Sequence, residues 1–186
     1  MTYELKVTLT DIDPPVWRRL RLSGELTLNQ LHHALQIAIG LIDSHLHQCL
    51  IDDERYALPS PEDGADRPRD ERKIRLREVA TQGGSFTYEY DFGDGWDHLI
   101  EVEHADDAEP QVPVLCTDGA RACPPEDSGG PWAYAELLEI VADPSHEDYD
   151  ERREWLPAEF DAEAFDAALV NHRLGRDGAK LTPKKR

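Results

Sequence analysis

The stretch FTYEYDFGDGWDHLIEVEH, from Phe86 to His104, constrains the fold more than any other part of the chain. Phe86, Tyr88, Tyr90 and Phe92 occupy alternate positions, and so do Trp96, His98, Ile100 and Val102 beyond Gly93-Asp94-Gly95. Strict alternation puts each set on one face of a strand, and a short glycine-marked connection joins antiparallel neighbours. With Gly93, Asp94 and Gly95 as the turn, Phe92 faces Trp96, Tyr90 faces His98 and Tyr88 faces Ile100. One face is then an aromatic and aliphatic ladder suited to a core. The other sets Asp91 against Asp97, with Asp94 at the tip, and like charges directly opposite destabilise a sheet. Water, a basic side chain or a cation has to separate them. A helix-loop-helix calcium loop is excluded, because the twelfth position counted from Asp91 is Val102 rather than glutamate.

The rest of the chain supplies partners for this hairpin. Tyr3, Leu5, Val7 and Leu9 alternate like a half-buried strand, and extended structure resumes in VWRRLRL after a turn at Pro14-Pro15. Thr27 and Gln30 have capping-box spacing, with Leu26 and Leu31 at staple positions. Leu28, Leu31, Leu35, Ala38 and Ile39 give this helix its apolar face, and Gly40 stops it. SHLHQCLID reads as a strand, PSPEDGADRPRDERK as a polar loop at a hairpin tip, and KIRLREVA as a strand running into a short helix. In the last third, Tyr134, Leu137, Leu138 and Val141 recur at helical spacing behind Pro131. Ser145 is placed to cap a second helix running through Tyr149 and Trp155. Asp161 is placed to cap a third, with Phe160 and Phe165 as its staple. Strands and helices segregate, which predicts an α+β fold. It has an antiparallel sheet, a capped helix after the second strand, and two or three helices in the C-terminal third. Residues 1–174 form one domain and 175–186 a flexible basic tail.

Charge narrows the function classes. Twenty lysines and arginines stand against thirty-nine acidic residues, a net charge of −19. Nucleic-acid backbones are gripped by clustered cations, so direct nucleic-acid binding is excluded and a basic protein or peptide is the favoured partner. No run approaches the ~18 apolar residues of a membrane span, and MTYELKVTLT lacks the order of a signal peptide. Cys49, Cys116 and Cys123 are an odd number without a dense pattern, which predicts a reduced, cytoplasmic protein.

Five motifs then occur in a recognisable order: PPVWRRL, LNQLHHALQIAIG, SHLHQ, YDFGDGWDH and DGARACPPEDSGGPWAYAELL. From about Tyr3 to Asn171 the chain resembles the plasmid pRiA4b ORF-3-like family. The resemblance implies an α+β fold in a bacterial or archaeal cytoplasmic protein, some of whose relatives are labelled transposon-passenger or resolvase-like. It supplies no reaction, and association with plasmids or mobile elements rests on those labels alone. Two positions depart from relatives, which often carry Trp at Leu41 and in some cases a cysteine near Ser128. No serine- or tyrosine-recombinase constellation is present.

Two motifs carry the chemistry. In RACPPEDSGGPW, Glu126 and Asp127 precede a helix start, where the backbone dipole favours negative charge, and Arg121 is available to pair with one of them. EDSGG is not a nucleophile elbow, Cys123 has only Arg121 nearby to activate it, and no Walker or dinucleotide motif occurs. His45, His47 and Cys49 alternate along one strand face, while Cys116 and Cys123 are spaced more widely than a zinc knuckle. No cofactor motif is complete. A divalent metal ion is the one candidate, with Asp94, His98, Cys116, Cys123 and Glu126 as available ligands. The expected site is a groove between the hairpin and the following loop, formed by Asp91, Asp94, Trp96, Asp97, His98, Arg121, Cys123, Glu126 and Asp127. The expected function is an acidic binding or interaction module. The alternative is a metal-dependent hydrolase drawing on Asp91, Asp94, His98, Glu126 and Asp127.

Overall fold

In the computed structural model, which describes residues 1–182, eight strands make one mixed sheet. They are β1 (Thr2–Leu9), β2 (Trp17–Ser23), β3 (His47–Ile51), β4 (Glu54–Ala57), β5 (Arg69–Asp70), β6 (Ser85–Tyr90), β7 (Trp96–Asp106) and β8 (Val114–Ala120). Their spatial order is β5-β4-β3-β6-β7-β1-β2-β8, antiparallel throughout except for the short parallel pair β4 and β5. The helices are α1 (Leu28–Ile39), α2 (Leu76–Val79), α3 (Gly130–Ala142), α4 (Tyr149–Trp155), α5 (Ala167–Arg176) and α6 (Gly178–Leu181). The chain is α+β. No helix among the described residues is long and apolar enough to cross a membrane.

Alternation builds the core. Tyr3, Leu5, Val7 and Leu9 of β1, with Phe86, Tyr88, Tyr90, Trp96, His98, Ile100 and Val102 of the central hairpin, all lie buried on one face. The buried positions Leu28, Leu31, Ala34, Leu35, Ala38 and Ile39 of α1 belong to the same core cluster. The opposite face is polar and carries ion pairs such as Lys6–Glu101 and Arg19–Glu103, as expected of an antiparallel sheet with one solvated side. Thr27 caps α1 through a complete capping box, and Gly40 ends it in the left-handed region at φ 116°.

The hairpin keeps its faces but not its register. Tyr90 faces Trp96, Tyr88 faces His98 and Phe86 faces Ile100, so the connection is the five residues 91–95 rather than three. The cause is local. Asp91 takes a left-handed conformation (φ 53°), and its Oδ1 accepts the N–H groups of Gly93 and Asp94. That turn starts at Asp91 and pushes Phe92 out of the ladder, leaving it 52% exposed. A slip of two residues preserves which side chains face inward.

Other expectations also shift. KIRLREVA contributes the short α2 and an isolated bridge between Thr27 and Arg75 rather than a full strand. The cap of α4 is Asp148 rather than Ser145. Helix α5 starts late, at Asp166, whose Oδ1 accepts from Ala168 and Leu169. Asp161 instead closes a turn with Glu163. Residues 175–182, expected in a loose tail, finish α5 and form α6. Leu181 is buried and Gln30 donates to the carbonyls of Lys180 and Thr182. The last four tail positions, 183–186, lie outside the described residues.

Candidate functional site

The hairpin turn and the 121–130 loop meet. Asp94 Oδ2 accepts the Gly129 N–H at 2.9 Å, and the Asp94 carbonyl sits against Gly130, where a Cβ would come within 2.3 Å of it. Gly129 and Gly130 both have φ of 83°, so this approach needs glycine on steric and conformational grounds alike. The contact brings Glu126 and Asp127 alongside Asp91.

A third segment completes the arrangement. Residues 41–46, between α1 and β3, lie across the junction and are tied to both sides. Ile42 N–H donates to Glu126 Oε1, Ser44 N–H to the Tyr90 hydroxyl, and Asp91 N–H to the Leu46 carbonyl. Tyr90 itself donates to Glu126 Oε1 at 3.0 Å. His45 is thereby placed edge-on to Tyr90, with ring centroids 5.7 Å apart. Its Nδ1 is 3.5 Å from Asp91 Oδ2, and its Nε2 is 3.2 Å from Asp127 Oδ1 and 3.6 Å from Glu126 Oε2. Burial raises the Tyr90 hydroxyl pKa, keeping it a donor rather than a fourth anion.

Among the described residues no lysine or arginine pairs with Asp91, Glu126 or Asp127; His45 is the sole basic side chain within 4.0 Å of them. Arg121 is engaged elsewhere, donating to Glu163 and to the Pro14 carbonyl. The expected pairing of Arg121 with Glu126 or Asp127 is therefore absent.

The expected residues divide. Asp91, Asp94, Glu126 and Asp127 come together, with Asp94 holding the two loops rather than facing a ligand. Asp97 lies across the ladder from Glu89, not Asp91. Burial, with Glu89 and Asp11 nearby, raises its pKa. Trp96 anchors the core edge-to-face against Tyr134, 6.4 Å between centroids. His98 is a core residue: its Nδ1 lies 3.3 Å from the Tyr88 carbonyl and 3.2 Å from that of Trp96, and burial lowers its pKa to about 4. His98 Nε2 has no protein partner among the described residues. It lines a small cavity shared with Cys123, Pro124, Pro125 and Glu126.

The ligand set Asp94, His98, Cys116, Cys123 and Glu126 does not assemble. Burial raises both the Cys116 and Cys123 thiols, the latter to about 12, so neither is a ready thiolate. Cys116 belongs to β8 and hydrogen-bonds through its backbone to Asn171. Among the described residues, the groups whose ligand atoms converge are instead His45 with Asp91 and Asp127, and His32 with His33 and Asp43. His45 was a visible candidate through its alternation with His47 and Cys49. His32, His33 and Asp43 were missed, although His32 and Gln36 lie one turn apart beside the apolar face of α1.

The sequence pattern of the family described as Plasmid pRiA4b ORF-3-like protein matches residues 1–169. The chain belongs to this family. Among pRiA4b ORF-3-like relatives, the protein described as "Uncharacterized protein y4hQ" from Sinorhizobium fredii is 38% identical over 185 residues, covering 98% of this chain and 95% of that one. The fold is also that of a crystal structure of a protein of unknown function, MM3350 from Methanosarcina mazei Go1. It superposes with a TM-score of 0.78 at 32% identity, over 90% of this chain and 96% of the other.

Proposed function

We propose that the chain is a binding module whose junction site takes a divalent cation, with His45, Asp91 and Asp127 as ligands and Glu126 beside them. The observation that carries this reading is the spacing around His45. Its Nε2 lies 3.2 Å from Asp127 Oδ1 and 3.6 Å from Glu126 Oε2, close to the ~3.4 Å edge between two ligands each ~2.1 Å from a tetrahedral ion. The 3.5 Å contact to Asp91 is made by the other ring nitrogen, and Asp91 enters the set because one ligand atom each of His45, Asp91 and Asp127 lie within 4.8 Å of one another. His45 Nε2 is buried and makes no hydrogen bond among the described residues. A lysine or arginine from a partner would be drawn to the same carboxylates and needs no imidazole beside them, whereas an imidazole nitrogen among carboxylates is a common ligand set for transition-metal ions. The histidine therefore favours a metal ion over a basic peptide.

One nitrogen with two or three oxygens suits manganese(II) as a probe. Untagged protein is expected to bind one saturable equivalent of Mn²⁺ by titration calorimetry. Asp127→Asn, which leaves every hydrogen bond named above intact, is expected to weaken binding at least ~10-fold. No saturable binding by folded wild type, or unchanged affinity in Asp127→Asn, overturns the reading.

A further inference from the structure

A second cluster lies on α1 and the segment after it, in side chains that the junction site does not use. We propose that His32, His33 and Asp43 form a separate zinc-type site, with two imidazole nitrogens and one carboxylate oxygen as ligands and the remaining position open to solvent.

The ligand geometry comes first. His32 Nε2 is 3.0 Å from Asp43 Oδ1, His33 Nδ1 is 3.8 Å from Asp43 Oδ2, and the three ligand atoms lie within 4.8 Å of one another. Ligands bound at ~2.0–2.2 Å are separated by ~3.4 Å in tetrahedral coordination, so rotamer-scale adjustment closes the site. The His32 contact alone is an ordinary hydrogen bond. The His33 contact is too long for one, yet that ring is turned to the other oxygen of the same carboxylate.

The surroundings hold these groups in place as metal-ligand supports do. Gln36 donates from Nε2 to the Tyr88 hydroxyl at 2.9 Å, and the Tyr88 hydroxyl lies 2.8 Å from His32 Nδ1. The same Gln36 accepts the Asp43 N–H through Oε1 at 2.8 Å, and Asp43 sits at φ 58°. One glutamine thus positions both the histidine and the carboxylate. The His32 ring is also stacked on His47, centroids 3.5 Å apart and planes within 4°. His47 is fixed in turn by Glu71, a fully buried carboxylate that also accepts from Asn29. A ligand histidine with its second nitrogen on an oriented partner is the usual arrangement around zinc.

With Tyr88 accepting from Gln36, its own proton points at His32 Nδ1, which leaves the His32 proton on Nε2 facing Asp43. An ion on Nε2 would require the Nδ1–H tautomer, with the Tyr88 hydroxyl turned so that its oxygen accepts from Nδ1 and its own proton points away from His32; no net proton would leave His32. His32 is buried, but His33 and Asp43 are partly exposed and supply the entry path.

The test uses the full chain carrying His45→Ala and Asp127→Asn, which removes the junction ligands and so separates this proposal from the preceding one. This variant is expected to bind one equivalent of Zn²⁺ by calorimetry. Cobalt(II) in the same site should give visible ligand-field absorption. The His32 ring should change from the Nε2–H to the Nδ1–H tautomer in nitrogen-15 spectra when zinc is added. Adding His33→Ala or Asp43→Asn, both at the surface, should weaken zinc binding at least ~10-fold while the circular dichroism stays native. A folded junction variant that binds no zinc, or a His33→Ala protein that binds it as tightly as its parent, overturns the proposal.

Discussion

At the scale of single residues, the buried histidines decide how the protein responds to acid. His98 has a folded pKa of about 4 against the ordinary 6.5 of an unfolded chain, because burial disfavours its charged form. Between those values the unfolded chain binds a proton that the folded chain refuses. The stability held above pH 6.5 is therefore lost as pH falls toward 4, by on the order of 3 kcal/mol from this group. Tyr88 and Cys123 nearby have raised pKa values and do not titrate in that window. His32 acts with the same sign. Urea unfolding at pH 7 and pH 4.5 should show this loss. His98→Gln should be less stable at pH 7 but lose distinctly less on acidification; an equal loss in both proteins counts against the assignment. That His98 lies on the core face was legible from alternation alone. That Tyr88 rather than Tyr90 faces it was not, because the slip comes from hydrogen bonds that Asp91 makes to its own turn.

At the scale of elements, two contacts join pieces that the sequence shows only separately. Arg18 on β2 is buried with no carboxylate partner among the described residues. It donates instead to the carbonyls of Ala38 and Ile39 at the end of α1, and to those of Trp17 and Ala120 in the sheet. Its guanidinium also lies 4.5 Å from the Phe165 ring centroid. One side chain thereby ties α1, β2, β8 and the segment before α5 together. Arg18→Met strands several buried carbonyls at once and should cost about 3–5 kcal/mol in urea unfolding. Arg18→Lys should recover little of it, since one ammonium cannot replace the planar fork. The second contact is Asp94 against Gly130. Gly95 and Gly130 both have positive φ, but a Cβ on Gly95 meets nothing within 4 Å, whereas one on Gly130 strikes the Asp94 carbonyl. Gly95→Ala should therefore cost about 1 kcal/mol of backbone strain. Gly130→Ala should cost clearly more and also weaken Mn²⁺ binding, because it drives the 121–130 loop off the hairpin. Equal stability and equal affinity in the two variants would show that the junction does not depend on this approach. The glycines were legible as loop markers, but their partner was not: contact between residues 94 and 130 is a property of the packed chain. The capping box on α1 was fully local, and so fully readable.

At the scale of the whole molecule, a net charge of −19 makes the compact state work against its own repulsion. Part of the sheet's open face meets that demand with ion pairs, such as Arg19 between Glu103 and Asp118. The junction does not, since Asp91, Glu126 and Asp127 share one histidine. This is where total charge, legible from composition, and local charge, which needs three separate segments to converge, become different statements. A binding site kept electrostatically incomplete is held at the expense of stability, and Asp127 offers the cleanest measure of it. Its side chain is 77% exposed and its left-handed backbone (φ 58°) is one that asparagine also tolerates. Asp127→Asn should therefore leave the fold intact and, without added metal at low ionic strength, raise the thermal midpoint. Salt should shrink that gain by screening the repulsion the substitution relieves. With saturating Mn²⁺ the order should reverse, because the wild type gains stability from the bound ion and the variant loses most of that gain. Two melting curves at low salt, with and without the ion, decide the point. If Asp127→Asn is less stable than wild type in both conditions, the carboxylate is a structural support rather than a ligand in waiting.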